Sequence, residues 1–490
     1  MERSKEIFGN IIDEKTYKKA LKSKKKYQRK YGDESKTQYH LSSKPLNILG
    51  KDKTINKLEL AIDPMKFDKK AIIIGNIRMG FGHYRISLAF ASCALALGYK
   101  PYWFDLNSFK TTGGKMIEHQ NKLYSMGSKL SQKSKLFNKL FWEPMNSEGF
   151  RQLTYNAIDQ KNSELLVPLY TDFPKDVPFI ATHVWPSQGA IHAGMTNVCN
   201  AIPDNWPMAL HLSEGALHTV QTHFAYLGYK RLNGFAKKKV LLPMPDDSLK
   251  DVGHYIDHEL VANLESDTED RLDRINNNKP LRLLLTVGGA GAQYPIFKSI
   301  VKHLLPYINE NKVVLFINFG DHEKVLKKMS KDIKELESVM EVYDNKYETF
   351  MEAVNNDNFN KGIYALYNKE IFEAVYSTNV LMRICDLLIT KPSELAYYPI
   401  PKLMIQRVGG HEAYGAIHAS EYGDGTYECR TSKEINEMLD SLLNDKLLLI
   451  HMNENILHNK ESGLYDGAYN VIKLITKSIK NNLHAITISN

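Results

Sequence analysis

The stretch IIIGNIRMGFGHYRISLAFASCALALGYKPYWFD, residues 72–105, decides how the chain is read. AIIIGN (residues 71–76) is a short β-branched run bounded by glycine, the pattern of a strand buried on both faces. Residues 87–97 are rich in Ala and Leu and stop at Gly98, which suits a helix with glycine just past its end. KPYWFD (residues 100–105) reads as the next strand. Strand, helix, strand is a βαβ unit, and such crossovers build parallel sheets with helices on their faces. Between the first strand and the helix lies RMGFGHYR (residues 78–85). It sets two glycines and His83 where the carboxyl end of a strand meets a helix start. Open α/β sheets bind ligands along that edge, and the helix N-terminus favours anions. An imidazole there is placed for acid–base work near neutral pH. The plainer role for His83 is to cap the helix or bond a local carbonyl. The glycines do not complete G-x-G-x-x-G, so a dinucleotide site is not expected.

The same grammar returns downstream. VPFIATHV (residues 177–184) and KKVLLPMP (residues 238–245) read as strands, and the polar residues 246–280 read as a connection. LRLLLTVGGAGAQ (residues 281–293) is a strand running into a second glycine loop, and KVVLFINFG (residues 312–320) is the next strand. DLLITKPSELAYYPIPKLMI (residues 386–405) gives strand, turn, short helix, strand. The expected architecture is α/β, with two Rossmann-like doubly wound domains in series. The expected boundaries are a basic extension over 1–60, a first domain over 61–250, a second over 251–450 and a C-terminal helical segment over 451–490 that caps or bridges them.

Composition sets the class. Of 490 residues, 43% are apolar and 24% charged, as in ordinary globular proteins. The N-terminus is polar and lysine-rich, unlike a signal peptide, and no apolar run reaches membrane-spanning length. Both features predict a cytoplasmic protein. The four cysteines form no C-x-x-C pair and read as buried thiols. Residues 1–60 hold sixteen basic and eight acidic residues, whereas the rest of the chain holds 48 of each, so the net charge of +8 lies entirely in that segment. A lysine-rich run is usually a solvated helix face or a mobile arm. It also suits an anionic membrane surface, which would make the protein peripheral on the inner face. Nothing accompanies the lysines that would indicate nucleic-acid recognition.

MGFGHYRISLAFA (residues 79–91) resembles the Gly-x-Gly-His segment that opens GT-B glycosyltransferases of the kind that make monogalactosyldiacylglycerol. It is also similar to that segment in the related UDP-N-acetylglucosamine transferase of peptidoglycan synthesis. Further matches follow in order. IPDNWP (residues 202–207) and LSEGALHTVQTHFAYLGY (residues 212–229) look like the end of the family's first domain. TVGGAGAQ (residues 286–293) looks like the glycine loop of its donor domain, and TKPSELAYYPIPKLMI (residues 390–405) like its Ser-Glu stretch. The resemblance covers about residues 65–450. It implies two Rossmann-like domains facing a central cleft, and a hexosyltransferase that uses a nucleotide sugar, first of all a UDP-sugar, without metal or other cofactor. The acceptor is a hydroxyl, on a soluble molecule or a lipid. Carried over, Glu394 beside Ser393 bonds the ribose hydroxyls, and Gly288, Gly289 and Gly291 let amides approach the diphosphate. Gly410, His411 and Glu412 face the donor. From the position of the first loop, Arg78, Gly80, Gly82 and Asp204 are assigned to the acceptor or phosphate side, with His83 as base or as the group that orients the acceptor. Arg85 is a second candidate there, and a solvent-facing role suits both arginines equally. Two departures matter. His411 replaces the family's Gln and the following Asn is missing, so the donor sugar stays open. Phe81 stands where relatives favour small residues.

In HLSEGALH (residues 211–218), a helix would put His211, Glu214 and His218 on one face and suggest zinc. Without H-E-x-x-H, ordinary polar packing is the expectation there. A sugar-nucleotide epimerase or hydrolase, and a non-catalytic binding protein, fit the same scaffold, because fold does not fix reaction.

Overall fold

The computed structural model describes residues 2–133, 135–142, 144–288 and 293–488. The chain divides into two compact units, Met1–Tyr255 with Asp466–Asn490, and Ile256–Tyr465.

The first unit opens with a small hairpin, β1 (Glu6–Ile7) and β2 (Asn10–Ile11), and helix α1 (Glu14–Tyr31). Its sheet comprises β3 (His40–Leu46), β4 (Ile55–Ala61), β5 (Ala71–Asn76), β6 (Lys100–Asp105), β7 (Phe179–Ala181), β8 (Val198–Ala201), β9 (Leu217–Val220) and β10 (Leu249–Asp251). The strand order is β10-β9-β8-β7-β5-β6-β4-β3, and every neighbouring pair is parallel except β3 with β4. Every residue of β5 is buried, as a central parallel strand requires. From β5 the chain crosses through α2 (Gly82–Ala96) to β6 on one side. It returns, through α3 (Thr112–Lys133) and α4 (Leu153–Ser163), to β7 on the other side, followed by α5 (Val184–His192). The carboxyl ends of β5 and β7 therefore flank the point where strand order reverses, the place where such sheets form ligand crevices.

In the second unit the strands are β11 (Leu281–Thr286), β12 (Val313–Asn318), β13 (Met340–Asp344), β14 (Gly362–Tyr367), β15 (Leu387–Thr390) and β16 (Lys402–Met404). They run in the order β13-β14-β12-β11-β15-β16, all parallel. The reversal point here lies between β11 and β15. Both units are thus Rossmann-like, as the sequence led us to expect.

Several boundaries differ from expectation. Residues 1–60 are not a separate extension. Asp13 caps α1 by accepting from the amide of Thr16 at 2.9 Å, and Gly32 ends the helix at φ +110°. The buried Ala20 and Tyr27 of α1 belong to the face that packs on α4, and Lys24 reaches Glu164 at 2.5 Å. Strands β3 and β4 then extend the main sheet; their mixed burial and Pro45 mark an edge. The predicted strand at 238–245 is irregular, because Pro243 and Pro245 have no N–H to give a ladder; the strand comes later, as β10. The expected connection over 246–280 is structured: it holds β10, the short helix His258–Ala262 and α6 (Leu264–Asn276). Nor is 451–490 one segment. A helix over Lys446–Glu461 packs on α6 in the second unit. The last helix, Gly467–Ile488, returns to the first unit, where the carbonyl of Ile475 accepts from Asn197 at 2.9 Å. All four cysteines are buried. Among the described residues, no helix is long and apolar enough to cross a membrane.

Candidate functional site

In the first unit, β5 ends at Asn76, and the loop turns at Gly80, whose φ of +71° only glycine adopts without strain. Helix α2 starts at Gly82, so His83 lies in its first turn rather than before it. The His83 Nδ1 sits 2.7 Å from the carbonyl oxygen of Thr182, the residue that follows β7. A carbonyl only accepts, so Nδ1 carries the proton and Nε2 of the neutral ring carries the lone pair. This bond ties together the two loops that flank the reversal point. A second tie, Ser87 Oγ to Thr182 Oγ1 at 2.9 Å, lies one turn deeper.

Four more side chains connect to this point, His183 directly and Tyr229, His211 and Asp204 beyond it. The ring of His183 meets that of His83 edge-on, with centroids 5.0 Å apart. Its Nδ1 accepts from the amide of Trp185 at 3.2 Å and caps α5, which leaves the ring proton on Nε2. Burial pushes the His183 imidazole far below its ordinary pKa; His83 and His211 push it further down, and Asp204 opposes them. Tyr229 accepts from the amide of Met208 at 3.2 Å, and its oxygen lies 2.6 Å from His211 Nδ1. The Asp204 carboxylate only accepts, so His211 Nε2 donates to Oδ2 at 3.1 Å, and in the neutral ring Nδ1 then accepts the Tyr229 hydroxyl proton; Asp204 remains 40% exposed. A buried chain of Tyr229, His211 and Asp204 thus ends in a carboxylate at the carboxyl edge of the sheet.

Arg78 is exposed; its amide is held by Asn107 at 2.7 Å. Arg85 is buried in α2, not solvent-facing. The metal reading of 211–218 fails. Gly215 takes φ +92°, which breaks the helix, and β9 follows. Glu214 accepts from the amide of Phe8 at 2.5 Å, and His218 Nε2 accepts from that of Ser213 at 2.9 Å. Among the described residues, no group of three or more His, Cys, Asp or Glu is placed to hold a metal ion.

In the second unit, Thr286 and Thr390 end β11 and β15 and join across the reversal point at 2.9 Å. Gly288 follows β11; among the described residues, a β-carbon there would meet Lys391 Cε at an ordinary 3.7 Å. Gly289 and Gly291 lie outside the described residues. After β15 come Lys391, Pro392, Ser393 and the half-buried Glu394, which opens a 3-10 turn over Glu394–Tyr397. Helix α7 (Ala413–Glu421) presses against this turn through Gly415, where any β-carbon would lie 2.7 Å from the carbonyl oxygen of Pro392.

In the loop over 406–412, Glu412 departs from the donor-facing role expected of it. Glu412 turns inward, pairs with Lys391, and accepts from the amides of Val408 at 2.7 Å and Gly409 at 3.2 Å. Burial works against its charge, but Lys391, His411 and the donated hydrogen bonds overcome that and hold the carboxyl below its ordinary value of 4.5. Glu412 is a loop brace. Beside it the His411 Nδ1 is buried and makes no hydrogen bond among the described residues. A depressed carboxyl stabilises the fold above its unfolded pKa, and that stabilisation is lost as pH falls through the folded value. Glu412→Ala should therefore destabilise the second unit by about 1.5–3 kcal/mol at neutral pH. In denaturant melts the difference from wild type should shrink as pH falls below 4.5 and through the lower folded value.

A cavity of about 630 Å³ lies on the far flank of α7, among Arg407, Ile417, Tyr427 and Arg430. It shares no lining residue with the Lys391–Glu394 turn, and Arg407 is already paired to Glu428 at 2.5 Å. Sequence reading missed Lys391 and His183, although each stands directly at the carboxyl end of a strand it had recognised.

Two family models match the chain, each described as a domain of unknown function: DUF6937 over residues 6–231 and DUF6938 over residues 244–476. No curated protein matches in sequence. Among solved structures, the chain is similar to a UDP-GlcNAc 2-epimerase from Neisseria meningitidis bound to UDP-GlcNAc, at 12% identity and TM-score 0.45, covering 83% of this chain and 100% of that one. An α,α-trehalose 6-phosphate synthase from Burkholderia multivorans is similar at 10% identity and TM-score 0.43, covering 84% and 99%. A glycosyltransferase from Rickettsia africae is similar at 10% identity and TM-score 0.39, with the same two coverages, 84% and 99%.

Proposed function

We propose that the protein transfers a glycosyl group from a nucleoside diphosphate sugar to a hydroxyl acceptor, with uridine the base to test first. The observation that carries this reading is the setting of His83. It bridges the loops of β5 and β7, with Nδ1 donating to the carbonyl of Thr182, so that Nε2 is the ring nitrogen bearing the lone pair. In the reaction, Nε2 takes the acceptor hydroxyl proton, the acceptor oxygen bonds to the anomeric carbon, and the bond from that carbon to the diphosphate breaks. The first unit supplies the base and holds the acceptor, with Asp204 and His211 beside it. The second unit holds the nucleotide. Glu394 accepts hydrogen bonds from the ribose hydroxyls. Lys391, kept in place by Glu412, and the backbone at Gly288 meet the departing diphosphate, where positive charge and amide dipoles stabilise developing negative charge.

The test is incubation with UDP- and GDP-sugars, with and without panels of sugar and lipid acceptors, read by mass spectrometry. The expected result is an acceptor product formed in step with nucleoside diphosphate release. Equal turnover without any acceptor would instead mark an epimerase or hydrolase.

A further inference from the structure

We propose that residues 121–133 and 135–142 dock the first unit onto an anionic phospholipid bilayer. This segment covers the second half of α3 and the helical turns that fold back on it. It is well anchored. Trp142 is buried, its ring lies 5.1 Å from that of Tyr124, and it fills the space that a β-carbon at Gly127 would need. Yet Leu123, Met126, Leu130, Leu136, Leu140 and Phe141 are 47–69% exposed. Single exposed apolar residues are common, but six within nineteen positions form a surface that water does not favour.

Charge selects the occupant. Residues 121–142 contain five lysines and no aspartate or glutamate. Helix α1, which packs beside α3, holds nine basic residues and one acidic residue, Glu14. The two helices meet where the rings of Tyr27 and His119 pack edge to face at 6.0 Å. Lys26 and Lys30 of α1 and Lys122 of α3, the last also paired with Glu118 at 2.6 Å, all act on His119, so these three ammonium groups gather about one point. Apolar side chains mixed with lysines, without acids, suit the headgroup boundary of a bilayer, where the chains bury and the ammonium groups stay wet. An acidic protein partner would match the charge alone; the leucines and Phe141 would remain unexplained.

The test uses the full chain and needs no substrate, so it stands or falls separately from the proposed reaction. Flotation is measured with vesicles of phosphatidylcholine mixed with phosphatidylglycerol, and with phosphatidylcholine alone. We expect binding to the anionic vesicles that weakens with salt, and little to the neutral ones. Leu140→Ser with Phe141→Ser should lower that binding by at least about tenfold while leaving the melting temperature unchanged, since both side chains are exposed. Leu447→Ser with Leu448→Ser, on the second unit, should leave binding at the wild-type level. No flotation with anionic vesicles, or flotation unaffected by the Leu140 and Phe141 changes, would overturn the proposal. So would sedimentation showing that those changes dissolve a dimer of this chain without altering vesicle binding.

Discussion

His83→Ala should lower the rate of glycosyl transfer by about 10²–10⁴-fold, the usual cost of losing a positioned base. The fold should survive, because the neighbouring loops keep the Ser87–Thr182 bond and the core beneath them is untouched. Nucleotide affinity should stay at the wild-type level, since the nucleotide is assigned to the other unit. His83→Asn separates chemistry from structure. Its amide can still donate to the carbonyl of Thr182, but it offers no basic nitrogen. It should match wild type in melting temperature and His83→Ala in rate. If His83 merely braces the loop, the asparagine variant would instead recover most of the activity. Initial rates for the three proteins, measured at saturating donor, distinguish these outcomes.

Glu394→Ala should weaken nucleotide binding by roughly 10–100-fold, the worth of hydrogen bonds to a charged acceptor. Glu394 opens the turn after β15, directly across the reversal point from Gly288. A carboxylate accepts from two vicinal hydroxyls at once, and no other residue type does so with full charge. The effect should fall on ribonucleotides and largely vanish for 2′-deoxy analogues, which lack one of the hydroxyls. Thermal shifts with UDP and with dUDP provide the check. An unchanged UDP shift in the alanine variant would remove Glu394 from the site.

Local grammar made much of this legible. The run from Ile72 to Asp105 contains its own strand, turn, helix and strand, so the position of His83 followed from contiguous residues. The strand ends at 286 and 390 were legible for the same reason. What failed was non-local. The three residues of HLSEGALH have helical spacing, but the left-handed turn at Gly215 and the pull of β9 into the sheet override it. The chain from Tyr229 through His211 to Asp204 joins residues whose contact exists only once the segment after β8 packs against the helix His223–Arg231, which follows β9. Glu412 looked donor-facing because its loop matched a family pattern; folding turned it toward Lys391 instead. The lysines of α1 masked a helix whose buried stripe, with Ala20 and Tyr27, is too sparse to stand out against so much charge.

The division of labour between the two units is the central claim, and calorimetric titration of UDP into wild type, His83→Ala and Glu394→Ala tests it most directly. The account predicts equal affinity for the first two and a loss of roughly 10–100-fold for the third. Wild-type affinity in Glu394→Ala, or a comparable loss in His83→Ala, would contradict it.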